Sequence, residues 1–333
     1  MTLFHVLLRV TEATRIPATL ERRLAATREL FQIAERLGDP VQLGFAAIRD
    51  VRTKYEAAQF DEVDRAFRVM EAFAHLDPFL HHNHHSLKAV RAHIAGDLQR
   101  AMEYADTARE LGGSEVDASA VYVATTSIIR WDMGTLHEML PIMERIRRDF
   151  PGVTGFLPSV GVAYVAAGRV DEARLILDAA VATRFADHPL NPLWAMTISL
   201  YATLCIEVGD ATSAAVLHEV MSPLRGRANS SVVSVNGLVT EQLAGLALMM
   251  GDLSAAHADA MEALAQAQRT GARVSATRTL LTLARWAVAT GEWEMAEAYA
   301  TEARAQADEI GMRRVAAQAA EVLTLVTAQG AVQ

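Results

Sequence analysis

The sequence lacks most of the features that would place it in a specialised class of protein. Its single cysteine, Cys205, excludes a disulfide framework. Only two of its 31 basic residues are lysines, and the formal net charge of −9 argues against nucleic acid as a direct partner, because phosphate binding needs a basic face. It has no apolar run long enough to span a membrane, and residues 1–10 are too short for a signal peptide. These absences predict a cytoplasmic protein with no membrane partner.

Motifs of common catalytic sites are also missing. The sequence has no Gly-x-x-x-x-Gly-Lys-Ser/Thr loop for nucleotide phosphates and no Gly-x-Ser-x-Gly nucleophile elbow. The pairs His137-Glu138 and His218-Glu219 are not followed by a second histidine at the spacing of a zinc peptidase. We therefore expect no catalytic residues, no cofactor and no enzymatic activity.

The sequence does contain a short motif that recurs along most of the chain. In Gly168-Arg169-Val170 a glycine, a polar residue and an apolar residue form a tight turn between two helices, and Ala173 lets the second helix pack closely. The spacings between successive copies, 34 to 42 residues, are typical of stacked helical hairpins. The other anchors are Gly96, Gly209, Gly251 and Gly291, with looser copies at Ala58 and Gly134.

The repeat predicts an all-α fold, a right-handed TPR-like α-solenoid of about eight helical hairpins with a C-terminal capping helix. We interpret residues 1–333 as one domain, in which 1–37 form an incomplete hairpin, 40–310 the repeats and 312–328 the cap. The first helix of each hairpin should line a concave groove, and no strand is expected. These first helices are predicted at 41–57, 78–95, 116–133, 156–167, 194–208, 232–250 and 273–290.

The opening helix, residues 3–11, is apolar on almost every side, which is unusual for the end of a repeat array. Either the next hairpin covers it, or the array was cut from a longer chain, or a partner docks there. Self-association through the segment Leu3 to Val10 is one form of the last alternative.

Several segments of the sequence resemble those of a known protein family. They are residues 37–40, 140–145, 149–152 (Asp-Phe-Pro-Gly), 164–174, 185–187, 194, 251–253 and 310–312. Together they resemble the TPR-like sensor arrays at the C-terminus of STAND-type and LuxR-type bacterial regulators and of ATPase-linked class III adenylate cyclases. The resemblance implies the sensor or scaffold part of a signalling or transcriptional regulator. The ATPase, cyclase and helix-turn-helix modules have no counterpart in the sequence, so we expect either a fragment of a longer regulator or an array that acts through other chains.

The densest group of functional side chains surrounds the start of the predicted helix 78–95. His81 and His85 stand four residues apart and share a helix face, and His82 lies beside them. The pattern is compatible with a metal-binding pair, a pH-sensitive ligand patch or a solvated helix start. We expect no metal, because no carboxylate is obviously placed to orient the imidazoles.

Other side chains of the predicted first helices are candidates to line the groove. Aromatic anchors with a few convergent polar groups suit a peptide or a small molecule, and packing between hairpins is the alternative for each aromatic residue. Arg49 and Arg52 are candidates to bind a carboxylate or an acidic peptide. The remaining groove candidates are Trp131, Tyr164, Trp194, Tyr201, Asn236, Glu241 and Trp286.

Two functions are therefore open. One is a non-catalytic array, a sensor or scaffold whose groove binds a peptide, a protein partner or an effector. The alternative is a small-molecule-binding protein or enzyme that uses the concave groove of the superhelix. An open, shallow groove would favour the first, and a closed pocket lined by polar groups with shifted pKa values would favour the second.

Overall fold

The computed structural model describes residues 2–113, 116–150, 152 and 154–330, without the side chains of 116–118 and 154. Pro151, which belongs to the segment 149–152 noted above, lies outside this part of the chain. The helices are α1 (Leu3–Ala13), α2 (Leu20–Leu37), α3 (Pro40–Glu56), α4 (Asp64–Phe73), α5 (Pro78–Ala95), α6 (Leu98–Gly112), α7 (Val116–Met133), α8 (Leu140–Asp149), α9 (Leu157–Ala166), α10 (Val170–Ala182), α11 (Trp194–Val208), α12 (Ala211–Met221), α13 (Val239–Met249), α14 (Leu253–Thr270), α15 (Arg273–Thr290), α16 (Trp293–Ile310) and α17 (Arg313–Gly330). The strands are β1 (Ala228–Ser230) and β2 (Val235–Leu238).

The predicted fold class, an all-α solenoid, is confirmed. Helices α3 to α16 form consecutive helical hairpins, each packed on its neighbours along the chain. Within the described ranges, none of the helices is both long and apolar enough to cross a membrane. The alanine five positions after each anchor glycine is fully buried, as close packing of the second helix requires. These residues are Ala101, Ala173, Ala214, Ala256 and Ala296.

The recurring motif ends one helix and begins the next. At Gly96 the backbone has a φ of +84°, the left-handed conformation that terminates α5. The side chain of Asp97 then accepts a hydrogen bond from Arg100 N at 3.1 Å and caps the N-terminus of α6. Gly209 and Asp210 end α11 and begin α12 in the same way. The hairpin boundaries are thus set by local chemistry.

Distant parts of the array also pack on each other, so the superhelix closes on itself. Helix α5 contacts α15, and α7 contacts α17. One apolar core consequently combines side chains of α3 and α5 with side chains of α15 and α16, whereas a second core extends from α7 to α13. The turn at Gly96 lies against Ile310, the last residue of α16.

We expect Gly96→Ala to destabilise the protein more than Gly251→Ala does. Both glycines have positive φ, so each alanine costs roughly 1–2 kcal/mol of backbone strain. A Cβ at residue 96 would also lie 3.1 Å from two side-chain carbons of Ile310, whereas a Cβ at residue 251 would meet nothing within 4 Å. Urea denaturation of the two variants measures the difference, which we expect to be about 1 kcal/mol. Equal losses would contradict the packing of this turn on α16.

The helix predicted at 232–250 is wrong over its first seven residues. Strands β1 and β2 pair as an antiparallel hairpin, and α13 begins only at Val239. The Ser231 hydroxyl accepts hydrogen bonds from Val233 N at 3.2 Å and Ser234 N at 3.0 Å, which stabilises a turn in place of a helix. Gly237, with a φ of +84°, also interrupts the helix. The apolar composition of this segment reflects a buried hairpin.

The β-hairpin, residues 228–238, lies in the space of the predicted concave groove. Every residue of both strands is buried, and the hairpin contacts α3, α5, α11 and α15, the first helices of four different helical hairpins. Arg15 Nη2 donates to Ser231 O at 2.7 Å and Thr125 Oγ1 donates to Val233 O at 3.0 Å, so the segment after α1 and helix α7 hold its tip. A groove that is free along its whole length is therefore ruled out for the described residues.

The opening helix α1 is covered on one side only. Phe4 is buried, and α1 packs on α2 and α3, as expected if the following hairpin covers it. Leu3, Val6 and Val10 stay exposed on its outer side. Self-association through this segment stays a prediction.

Candidate functional site

A buried ionic network joins four of the helices that surround the β-hairpin. Asp132 of α7 is completely buried, and it accepts a hydrogen bond from His93 Nε2 at 2.7 Å and from Arg278 Nη2 at 2.6 Å. Arg278 Nη1 lies 3.5 Å from Glu241 Oε1 of α13. Burial opposes ionisation of Asp132, but the charge of Arg278 and the His93 hydrogen bond outweigh it and lower its pKa to about 2. Because the charges are paired, we interpret this network as structural: it holds the four helices together and does not bind a ligand.

A second polar group lies near the N-terminal end of the array, and it has more positive than negative groups. It comprises Arg15, Arg23, Arg49 and Arg52, with Glu12 and Glu56 as its carboxylates. Arg23 Nη2 lies 2.6 Å from Glu56 Oε1, and Arg15 Nε lies 4.0 Å from the other oxygen of that carboxylate. Arg49 Nη1 lies 2.8 Å from Glu12 Oε2. Three of the four guanidinium groups thus pair with the two carboxylates.

Arg52 is the member of this group without a carboxylate partner among the described residues. Its side chain is only 7% exposed, its Nη2 donates to Asn83 Oδ1 at 2.6 Å, and its Nε is buried without a hydrogen-bond partner there. Burial, reinforced by the charges of Arg15 and Arg49, lowers the pKa of Arg52 to about 9. A guanidinium in this environment is a strong binding group for an anion.

A cavity of about 850 Å³ adjoins Arg52, and we call it the Arg52 cavity. It lies between α3, α5, α7 and the tip of the β-hairpin. Its polar wall is formed by Arg49, Arg52, His82 and Asn83, with the carboxylates of Glu12 and Asp77 near by. Its apolar wall includes Phe79, Leu111, Val121, Val232 and Val233. The volume falls within the range of small-molecule sites, about 300–1,000 Å³.

The structure brings three of the predicted site residues, Arg49, Arg52 and His82, to this cavity. The His82 Nδ1–H donates to Ala108 O at 2.8 Å, which leaves Nε2 of the neutral ring as an acceptor. His81 and His85 lie outside the cavity lining, with their rings 5.3 Å apart, and burial lowers the pKa of His85. Among the residues that the structure describes, no three potential metal ligands converge.

The remaining predicted groove residues do not converge on one site, since most pack between helices. Trp131 lies under the guanidinium of Arg314 at 4.0 Å, and the Trp286 indole N–H donates to Leu253 O at 2.9 Å. Trp194 is partly buried against the second core, in which Tyr201 is completely buried.

Polar contacts account for three further candidates. The Tyr164 hydroxyl donates to Glu144 at 3.1 Å. Asn236 lies on β2 and not on a helix, and its Nδ2 donates to Ser199 Oγ at 2.9 Å. Glu241 belongs to the ionic network described above. The sequence alone did not single out Arg15, Asp132 or Arg278 as site residues. For Asp132 and Arg278 the only signal was a charged residue on a first helix with many apolar residues.

Comparison with known proteins adds little to this description. No protein-family model matches the chain, and no curated protein matches it. One solved structure that is similar is described as a circular tandem repeat protein with novel repeat topology and enhanced subunit contact surfaces. It shares 15% sequence identity, and the match covers 98% of this chain and 82% of that chain with a TM-score of 0.20. At that score the two structures superimpose poorly, so the fold assignment rests on the helices described above.

Proposed function

We propose that this helical repeat protein is a non-catalytic sensor that binds a small anionic effector in the Arg52 cavity. The observation that carries the proposal is a buried guanidinium, without a carboxylate partner among the described residues, at the wall of a cavity large enough for a metabolite. The resemblance to the sensor arrays of STAND-type and LuxR-type regulators supports a role in signalling or transcriptional regulation.

The charge balance favours an anionic ligand. Burying a guanidinium without a counter-charge is costly, and proteins normally place a carboxylate against it or shift its pKa. Here Arg15 and Arg49 add further positive charge near Arg52, and burial lowers the pKa of all three groups. A bound anion would pair with Arg52 in a position where solvent screens the attraction little.

The position of the β-hairpin favours a small ligand over an extended peptide. A peptide that ran along the concave surface would have to displace buried strands that are hydrogen-bonded to side chains of α7 and of the segment after α1. The Arg52 cavity needs no such displacement. Of the two functions left open by the sequence, the binding of a small molecule is therefore favoured, in a partly open cavity with both polar and apolar lining residues.

We expect Arg52→Gln to abolish anion binding while leaving the unliganded protein as stable as the wild type or more stable. The variant removes a buried charge that lacks a counter-charge, a change worth roughly 1 kcal/mol in favour of folding. Thermal melts with acetate, benzoate, succinate and inorganic phosphate, at ionic strength matched with sodium chloride, test both effects. An anion that raises the Tm of the wild type should leave the Tm of Arg52→Gln unchanged.

Arg269→Gln is the matched control, because Arg269 is exposed near the end of α14, far along the chain from the cavity. It should respond to each anion as the wild type does. The proposal fails if none of the anions raises the wild-type Tm beyond the effect of sodium chloride. It also fails if the increase persists in Arg52→Gln.

A further inference from the structure

Resting on the proposed function, we infer that the effector is a monocarboxylic acid with an apolar body, either an aromatic ring or an alkyl chain of medium length. The carboxylate pairs with Arg52. The apolar body lies against the wall that α5 and the tip of the β-hairpin form. Charge count and the exposure of apolar side chains in the cavity both lead to this assignment.

The charges at the cavity fit one negative charge on the ligand better than two. Arg49 is already paired with Glu12, so Arg52 is the cavity-lining guanidinium that lacks a carboxylate within the described residues. Asp77 accepts a hydrogen bond from Leu80 N at 3.0 Å and caps α5, and its carboxylate also lines the cavity. A second negative charge on the ligand would be repelled by Glu12 and Asp77. A dicarboxylate or a phosphate monoester is therefore disfavoured relative to a monocarboxylate.

The apolar part of the lining offers surface that no described side chain covers. Phe79 is 49% exposed and Leu111 is 36% exposed, although both line a concave site. Phe79 is held in place by stacking on Phe45, with ring centroids 5.7 Å apart. Covering such side chains with a ligand removes apolar surface from water, which is the main source of affinity for an alkyl or aromatic group.

The tip of the β-hairpin completes this wall with Val232 and Val233. Its backbone is fixed, because Ser231 O accepts a hydrogen bond from Arg15 and Val233 O accepts one from Thr125. An apolar surface that is already ordered spares a ligand the entropic cost of ordering it. The tip also explains why the site requires the fold as a whole, since Arg52 and Val232 are brought together from distant parts of the sequence.

Isothermal titration calorimetry on the full chain tests this assignment with five probes: acetate, octanoate, benzoate, succinate and inorganic phosphate. We expect octanoate or benzoate to bind on the order of tenfold more tightly than acetate, because several methylene groups or a ring become buried. Succinate and phosphate should bind more weakly than the better of these two acids. Neutral octanol should not compete at the concentration at which octanoate saturates.

Leu111→Ala separates the apolar wall from the charge. It should weaken octanoate or benzoate at least about threefold and leave acetate binding unchanged, since one partly exposed side chain contributes a modest apolar area. The control is Leu325→Ala, which removes an exposed leucine on α17 and should change neither affinity.

The outcomes distinguish this inference from the proposed function. If succinate or phosphate binds most tightly and Arg52→Gln abolishes that binding, the site is a real anion site and the ligand class is wrong. The ligand class is also wrong if acetate and octanoate bind equally. If none of the five probes binds, both the inference and the proposed function are overturned.

Discussion

Asp132→Asn should lower the free energy of unfolding by about 3–5 kcal/mol, the largest effect of a near-isosteric change that we expect in this protein. The substitution removes the only negative charge within 3 Å of the Arg278 guanidinium among the described residues and leaves that cation buried. Because the network joins α5, α7, α13 and α15, its loss weakens the contact that closes the superhelix. Urea denaturation measures the change.

The control for this variant is Asp178→Asn, at an exposed position of α10 without a hydrogen bond or ion pair to a described residue, which should cost less than about 0.5 kcal/mol. The double variant Asp132→Asn with Arg278→Gln should recover part of the loss, since it also removes the buried cation that has lost its nearest carboxylate and keeps only Glu241, at 3.5 Å. If Asp132→Asn costs no more than Asp178→Asn, the network does not contribute to closure of the superhelix.

The same carboxylate makes the effect depend on pH. Asp132 has a folded-state pKa of about 2, below its ordinary value of 3.8. Its stabilising contribution is therefore complete above pH 4 and is lost as the pH falls towards 2. The difference in unfolding free energy between the wild type and Asp132→Asn should shrink by about 2 kcal/mol between pH 5 and pH 2. A difference that stays constant over this range would contradict the paired, buried state of Asp132.

Leu238→Ala should lower the free energy of unfolding by about 2–5 kcal/mol, as a truncation in the core of a helical domain does. Leu238 ends β2 and is completely buried in the core that combines α3, α5 and α15. If residues 228–238 formed a surface loop, the same change would cost almost nothing. Urea denaturation distinguishes the two cases.

Two comparisons calibrate this effect. Leu243→Ala, at a completely buried position of α13, should cost as much as Leu238→Ala. Leu190→Ala, at a position that is 66% exposed, should cost less than about 0.5 kcal/mol. A value for Leu238→Ala close to that for Leu190→Ala would place the β-hairpin outside the core.

The architecture could be predicted from the sequence because it is encoded locally. A glycine in the left-handed conformation, a capping aspartate and a small residue for close packing all lie within six residues of one another, as at Gly96, Asp97 and Ala101. Copies of that motif set the boundaries of the helical hairpins without reference to the rest of the chain. Periodicity alone then implied stacking.

The β-hairpin could not be predicted by the same means. Residues 232–250 form a mostly apolar run, and burial from all sides removes the alternation that identifies a strand. The signals against a helix were local and weak: the Ser231 hydroxyl in a turn and Gly237 at positive φ. Tertiary packing decided the conformation.

The candidate site was only partly predictable for a different reason. Arg49 and Arg52 were candidates because they lie on a first helix, but their pairing could not be known. Arg49 meets Glu12 from α1, and Arg52 meets Asn83 from α5. Likewise Asp132 and Arg278 are 146 residues apart in the sequence. Which charge is left without a partner depends on these long-range contacts, so it is a property of the folded chain.

The central claim is that the β-hairpin occupies the interior of the superhelix and leaves the Arg52 cavity as the site for a ligand. Hydrogen exchange followed by mass spectrometry, on peptides that cover residues 228–238, tests it most directly. We expect amides of this segment to exchange as slowly as those of α13 and α15, on the order of a hundredfold or more slower than amides of the exposed segment around Leu190. Exchange as fast as in that exposed segment would contradict the account.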